Sequence, residues 1–228
     1  MSENPFLRQE DLVNQHALER LGVTVVGFGS IGSFTALTLA KMGIKNFVVY
    51  DFDTVELHNI SNQFFSKKHV GYNKATVADN ILKEFGSQDL NLTVKPFKFD
   101  REKLTTEIVL ASADDMTARR NIFRCAIMSK KPKLFLDVRM GGKQLTVFAV
   151  DLTNPEECDE FYEKYLLDVE NQEIRCTAKT IIFNVLMCSS LLSSFVADYA
   201  NHKELPKQFR YSFNEYYQIL KKGMEKRK

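Results

Sequence analysis

The chain has 228 residues, 44% of them hydrophobic and 11% aromatic, enough for the core of one α/β domain and too apolar for a disordered chain. A formal net charge of +2 gives no electrostatic case for nucleic acid or a membrane surface as partner. The start, Met1-Ser2-Glu3-Asn4-Pro5, has no export-signal pattern, and no uninterrupted apolar run approaches the roughly 18 residues of a membrane span, so the expected compartment is the cytoplasm.

Residues 1–21 are polar with periodic Leu and Val and predict a helical lead-in. "VTVVGFG" (23–29) is a short apolar strand of the kind buried on both faces, turning through glycines into a helix, "IGSFTALTLAKMG" (31–43), that Gly43 ends. "FVVYD" (47–51) is a second buried strand, and 69–86 reads as a helix entry and helix stopped by Gly86. "LTVKPFKF" (92–99) alternates, and Pro96 argues for an edge strand. "EIVLASAD" (107–114) is a further buried strand, 117–130 a helix, and 134–152 two more strands.

Residues 155–173 hold eight acids and one base and predict an exposed loop or short helix crossing the domain. Residues 177–201 predict a long apolar helix, and from Pro206 the chain becomes a polar and aromatic tail. Strand and helix in alternation imply an α/β fold, a Rossmann-like, doubly wound, mostly parallel sheet with extra C-terminal strands and a long final helix. The expected division is one domain over 1–204, its nucleotide-binding half about 20–130 and its crossover about 153–175, with a tail over 205–228.

The cysteines at 125, 158, 176 and 188 form no C-x-x-C pair, so structural zinc is not expected. The four histidines are scattered and make no helical ligand pair. Cys125 and Cys188 fall on apolar helix patterns and read as core, while the acids around Cys158 disfavour its thiolate.

Gly27, Gly29 and Gly32 fit G-x-G-x-x-G between a predicted strand and helix. The first permits a tight turn, the second lets a phosphate approach the backbone, and the third lets helix and strand pack closely. The helix then presents free N–H groups and a positive dipole end to an anion. Asp51, 19 residues past Gly32 at the end of the second strand, suits ribose hydroxyls. A dinucleotide site alone would not need the polar groups beyond it. Asp53, Asn59, Gln63 and Lys74 add carboxylate, amides and ammonium at the same sheet edge. Lys74 could face phosphates as a point charge, and Asp114, ending the fourth strand, could hold Mg²⁺ on a triphosphate. Hydride transfer has no use for that pair, whereas splitting a triphosphate needs both charges.

"GFGSIGS", "DFDTVELHNISNQ", "VGYNK" and "ASADDMTARRN" resemble, in order and spacing, the successive motifs of the ThiF/MoeB/HesA family, the adenylating fold shared with ubiquitin-activating enzymes. The resemblance covers about residues 8–200. It implies ATP and Mg²⁺ as cofactors and adenylation of the C-terminal carboxylate of a ubiquitin-like or sulfur-carrier protein ending in Gly-Gly, by a homodimer. By resemblance, Gly27, Gly29 and Gly32 cradle the nucleotide, Asp51 binds its ribose, Asn59, Gln63 and Lys74 line the phosphate path, and Asp114 binds magnesium. Arg8 stands where the family has an arginine that reaches the partner's site, and an ordinary exposed arginine is the alternative.

Two departures stand out. Asn62 replaces the family's arginine before Gln63, removing a charge that Arg8, Lys67 or Lys68 would have to supply, and the paired C-x-x-C motifs are missing. Thioester-forming members carry a nucleophilic cysteine in a setting like that of Cys176, whose pKa Arg175, Lys179 and a helix N-terminus would lower. If Thr177 caps that helix, Cys176 is a bystander. The competing expectations are a non-catalytic binding partner with this fold and an NAD-dependent oxidoreductase.

Overall fold

The computed structural model describes residues 4–86, 89–167 and 180–213, and the backbone of 217–221. The apolar β1 (Gly22–Val26) is buried along its whole length and runs between β2 (Asn46–Tyr50) and β4 (Ile108–Ala111). A strand covered on both faces has no solvent side to alternate toward, which is why its sequence reads as a continuous apolar run. With β3 (Asn91–Lys95), β5 (Leu134–Gly141), β6 (Gln144–Asp151), β7 (Gln208–Ser212) and β8 (Tyr217–Lys221), the sheet has the order β3-β2-β1-β4-β5-β6-β7-β8. The first five strands are parallel, and β6 to β8 join antiparallel.

Register sets the site. Lys95, Tyr50, Val26, Ala111 and Asp137 pair in one row across β3, β2, β1, β4 and β5. The next residues along β2, β1 and β4, Asp51, Gly27 and Ser112, therefore leave the sheet side by side.

α1 (Gln15–Arg20), α2 (Ser30–Met42), α3 (Lys74–Phe85) and α6 (Ile182–Ala200) pack on one face, and α4 (Met116–Ser129) and α5 (Pro155–Phe161) on the other. Connections from β1 and from β4 thus leave on opposite faces, which opens a crevice between their carboxyl ends. α6 has the length and hydropathy of a membrane span, yet Val185, Cys188, Leu192 and Val196 bury one stripe of it in the core.

Several expectations need correction. The helical lead-in is, over its described residues, a 3-10 turn, Leu7–Gln9, and the short α1 rather than one helix, with Asn14 capping α1 by accepting from Ala17 N. Of the two forms expected for the acidic segment, its described part takes the helical one, and residues 168–173 lie outside the described residues. α5 starts under the Asn154 cap with Pro155 at its first turn, Phe161 packs its ring against Phe123, Phe135 and Phe148, and Cys158 is buried in the same core with Leu166 of the turn that follows. The acids lie on the other face, so the helix is amphipathic, and only its buried face was not expected. Residues 208–212 and 217–221 extend the sheet rather than forming a tail.

Candidate nucleotide-binding site

The crevice is a cavity of about 380 Å³. Its floor begins at Gly27, where φ is +97° and a Cβ would stand 2.8 Å from the Ser112 carbonyl oxygen. At Gly32 a Cβ would lie 2.0 Å from the Gly27 carbonyl oxygen, so only glycine lets α2 pack this close to β1. Gly29 differs, with nothing within 4 Å of its would-be Cβ and its backbone lining the cavity. Among the described residues no side chain caps α2 there, which leaves the helix N-terminus open to an anion. Ser112 Oγ clips the turn by donating to the Gly27 carbonyl at 2.7 Å and the Val26 carbonyl at 3.1 Å.

Asp51 succeeds β2 and is buried. Its Oδ2 accepts from Phe28 N at 2.6 Å and its Oδ1 from Asp53 N at 2.8 Å, which ties the acidic loop to the glycine turn. Burial pushes its carboxyl above the ordinary value, against the pull of the two N–H groups and of the Lys74 ammonium. Lys74 opens α3 and is itself buried, with Nζ 2.9 Å from Asp53 Oδ2. Asn73 fixes it there. Its Oδ1 caps α3 at Thr76 N, and its Nδ2 donates to the carbonyls of Asp51 and Asp53, both at 3.1 Å.

Asn62 and Gln63 line the cavity side by side, and the buried Oε1 of Gln63 has no hydrogen-bond partner among the described residues. Asp114 is exposed at the opposite rim. Asp115 caps α4, accepting from Ala118 N at 2.7 Å. Arg119 reaches back from α4 to the Ala111 and Ala113 carbonyls and lines the cavity floor. Phe97 and Phe99 edge against Tyr50, whose hydroxyl donates to Glu102 at 2.7 Å, and Lys98 sits over Phe52 at the mouth.

Of the residues singled out in the sequence, Gly27, Gly29, Asp51, Asp53, Gln63, Lys74 and Asp114 line one cavity, with Gly32 packing behind them. Asn59 does not join them. Its side chain is buried as a cap, with Oδ1 accepting from Glu56 N at 2.9 Å, so it shapes the loop rather than the phosphate path. Arg8 is also elsewhere. Its neighbour Gln9 donates to the Met42 carbonyl at the far end of the 13-residue α2, about 20 Å of helix from the glycine turn. Cys176 lies outside the described residues. Of the lysines named to compensate for Asn62, Lys68 pairs with Glu84 and Lys67 is exposed off the cavity, whereas Lys98 lines it. Asn73, Ser112 and Arg119 are site residues that sequence reasoning missed. Arg119 belongs to the run "DDMTARRN", but nothing in the sequence shows what it touches.

Mg²⁺ fits one exposed carboxylate completed by phosphate oxygens, and Asp114 provides such a carboxylate. A triphosphate fits the bare helix N-terminus and the Lys74 ammonium, while the unpartnered Gln63 Oε1, an acceptor, suits a hydroxyl or amino group of the ligand rather than its phosphates.

SUMO-activating enzyme subunit 2 of Dictyostelium discoideum is 28% identical over 165 residues, 69% of this chain and 24% of that protein. Ubiquitin-like modifier-activating enzyme 5 of the same organism is 30% identical over 54% of this chain and 38% of its own length. The adenylyltransferase and sulfurtransferase MOCS3-1 of Zea mays is 31% identical over 59% of this chain and 30% of its own. The chain thus spans well under half the length of these curated relatives. Among solved structures, PaaA superposes with a TM-score of 0.75 at 17% identity, covering 95% of this chain and 68% of that one. E. coli MccB with ATP gives 0.71 at 17% identity, covering 91% and 65%, and at such identity both show the fold alone. The ThiF family profile matches residues 4–226, and the chain belongs to the ThiF family.

Proposed function

We propose that this chain adenylates the C-terminal carboxylate of a ubiquitin-like or sulfur-carrier protein, using ATP and Mg²⁺. The carrying observation is the cavity itself. An open helix N-terminus, a buried lysine, an unpartnered glutamine oxygen and a solvent-facing aspartate surround one volume at the switch point of the sheet. In the reaction a carboxylate oxygen of the carrier attacks the α-phosphorus, the bond to the bridging oxygen breaks, and pyrophosphate leaves with the electron pair. The N–H groups at the start of α2 and the Lys74 ammonium face the charge that builds on the phosphates. Asp114 is the residue that would hold Mg²⁺, which when bound would supply positive charge to the leaving pyrophosphate. The Asp53, Lys74 and Asp114 set speaks against hydride transfer, and intact glycines speak against a decayed scaffold.

The proposal extends to a homodimer in which Arg8 serves the partner's cavity, since α2 separates it from its own. Mixing inactive Arg8→Ala and Lys74→Ala proteins should then restore about a quarter of the sites, those in hybrid dimers that combine both intact residues. The test of the activity is ATP–pyrophosphate exchange with small carriers ending in Gly-Gly. Exchange stimulated by one such carrier supports the reading, and nucleotide binding without exchange for any carboxylate substrate would leave a binding module.

A further inference from the structure

Beneath the cavity lie three buried charged side chains that neither the glycine turn nor the phosphate loop explains. Arg119 of α4, Asp137 of β5 and Arg139 of β5 are 2%, 0% and 4% exposed. Asp137 Oδ1 accepts from Arg119, and its Oδ2 accepts from Arg139 Nε at 2.9 Å and faces Arg139 Nη2 at 2.8 Å. Replacing such a buried ionic group by packed apolar residues is often neutral or stabilising, so stability is a weak reason to keep it. Asp137 and Arg139 also stand outside every motif that carries the family resemblance.

The contacts of the two arginines show what the group joins. Arg119 donates to the Ala111 and Ala113 carbonyls, the end of β4 immediately before Asp114. Arg139 donates to the Tyr165 carbonyl at 2.8 Å and lies 4.9 Å over the Phe148 ring, against which Tyr165 also packs. Tyr165 belongs to the π-helical turn Tyr162–Leu167 that ends the described part of the crossover. Arg120 holds the next carbonyl, Leu166 O, at 3.1 Å, and Arg124 bonds the Tyr162 hydroxyl. One carboxylate is therefore the junction between the cavity rim and the crossover.

We infer that Asp137 is a positioning residue that couples the nucleotide cavity to the crossover segment, acting through Arg119 on one side and Arg139 on the other. This rests on the nucleotide reading of the cavity. Because guanidinium forks are planar and bidentate, a ligand that steadies the end of β4 steadies Arg119, and through Asp137 it steadies Arg139 and the Tyr165 carbonyl.

The test is hydrogen–deuterium exchange of residues 162–167 with and without a nonhydrolysable ATP analogue and Mg²⁺, in the wild type, Arg139→Met, Arg139→Lys and Asp137→Asn. In the wild type the analogue should slow exchange there by about fivefold. Arg139→Met should bind the analogue within about twofold of wild type, lose the slowing, and lower the kcat of pyrophosphate exchange by about tenfold at little-changed KM for ATP. Arg139→Lys, which keeps the charge but not the fork, should recover part of both. Asp137→Asn should lose the slowing as well. If Asp137→Asn fails to fold, Arg139→Met still decides, because it leaves the Arg119–Asp137 pair in place. A wild type that binds the analogue without slowing, or an Arg139→Met protein that keeps it, overturns the coupling and leaves the nucleotide reading intact. A wild type that binds no nucleotide overturns both.

Discussion

Lys74 Nζ stands 2.9 Å from Asp53 Oδ2, the ammonium nearly buried and the carboxylate half open to solvent. Such a pair keeps a charge in place for an anion while limiting what it costs to bury it. Lys74→Met should abolish most pyrophosphate exchange or raise the KM for ATP by about tenfold, because it removes the charge facing the phosphates. Asp53→Asn leaves the lysine partly uncompensated. With the carboxylate half exposed, that should cost only about 1 kcal/mol, or about 2–4 °C in Tm for a chain of this size. Full exchange activity in Lys74→Met would remove it from the phosphate site.

The glycines allow a sharper test, because two of them do different things. A Cβ at Gly32 meets backbone at 2.0 Å, so Gly32→Ala should prevent close packing of α2 on β1 and destabilise the fold outright. A Cβ at Gly29 meets nothing within 4 Å, yet it would project where the cavity is open. Gly29→Ala should melt within about 1 °C of wild type and raise the KM for ATP by about tenfold, as expected when backbone must approach a ligand. Thermal melts monitored by circular dichroism, with exchange kinetics on the same samples, check both. Equal loss of stability in the two variants would refute the division of roles.

The same contrast shows how much of this protein is legible in its sequence. The parallel half is readable because buried strands and glycine-ended helices leave strong local signals, and Asp51, Lys74 and Asp114 inherit their places from those strand and helix ends. Asn59 misleads because its motif position is fixed by loop shape, and a cap cannot be told from a ligand contact by spacing. Asp137 is hidden for a different reason. A single acid inside "LFLDVRMGG" becomes meaningful only when register sets it level with Ala111 and α4 brings Arg119 over it. The buried face of α5 is lost under its own acidic composition.

Away from the cavity, Glu107 gives a pH-dependent stability that should leave catalysis alone. Its Oε2 accepts from Gly22 N at 2.9 Å and its Oε1 pairs with Lys131, which ties the start of β1 to the segment before β5. Burial works against its charge, but the Lys131 ammonium and the N–H bonds outweigh it and hold the carboxyl below its ordinary 4.5. A depressed carboxyl adds stability that is complete above its unfolded pKa and lost as pH falls through the folded one. At pH 7, Glu107→Gln should lower Tm by about 2–4 °C for about 1 kcal/mol, discounted for partial exposure. The gap should close as the pH falls from the ordinary carboxyl value of 4.5 through the lowered folded one, with exchange activity at pH 7 unchanged. A gap that persists or widens in acid would show that packing rather than charge is lost.

If the chain adenylates a carrier as proposed, its cysteines determine whether the acyl group stays as an adenylate or passes to sulfur. Cys125, Cys158 and Cys188 are all buried. Burial, joined by the charges of Glu157, Asp151 and Asp159, pushes the Cys158 thiol up to about 11, and burial alone raises Cys188 further. A thiol held that far above neutral pH supplies almost no thiolate, the form that attacks an acyl adenylate. A thioester, if the enzyme makes one, should therefore form on Cys176. Incubation with ATP, Mg²⁺ and the stimulating carrier should give a covalent adduct that dithiothreitol removes, AMP leaving as sulfur takes the acyl carbon. Cys176→Ala should lose the adduct while keeping pyrophosphate exchange, since adenylation uses only the nucleotide cavity, and Cys158→Ala should keep both. An adduct that survives in Cys176→Ala and disappears in Cys158→Ala would mean that α5 opens during turnover and exposes its buried thiol. Exchange without any adduct in the wild type would end the chemistry at the adenylate and leave Cys176 without a catalytic part.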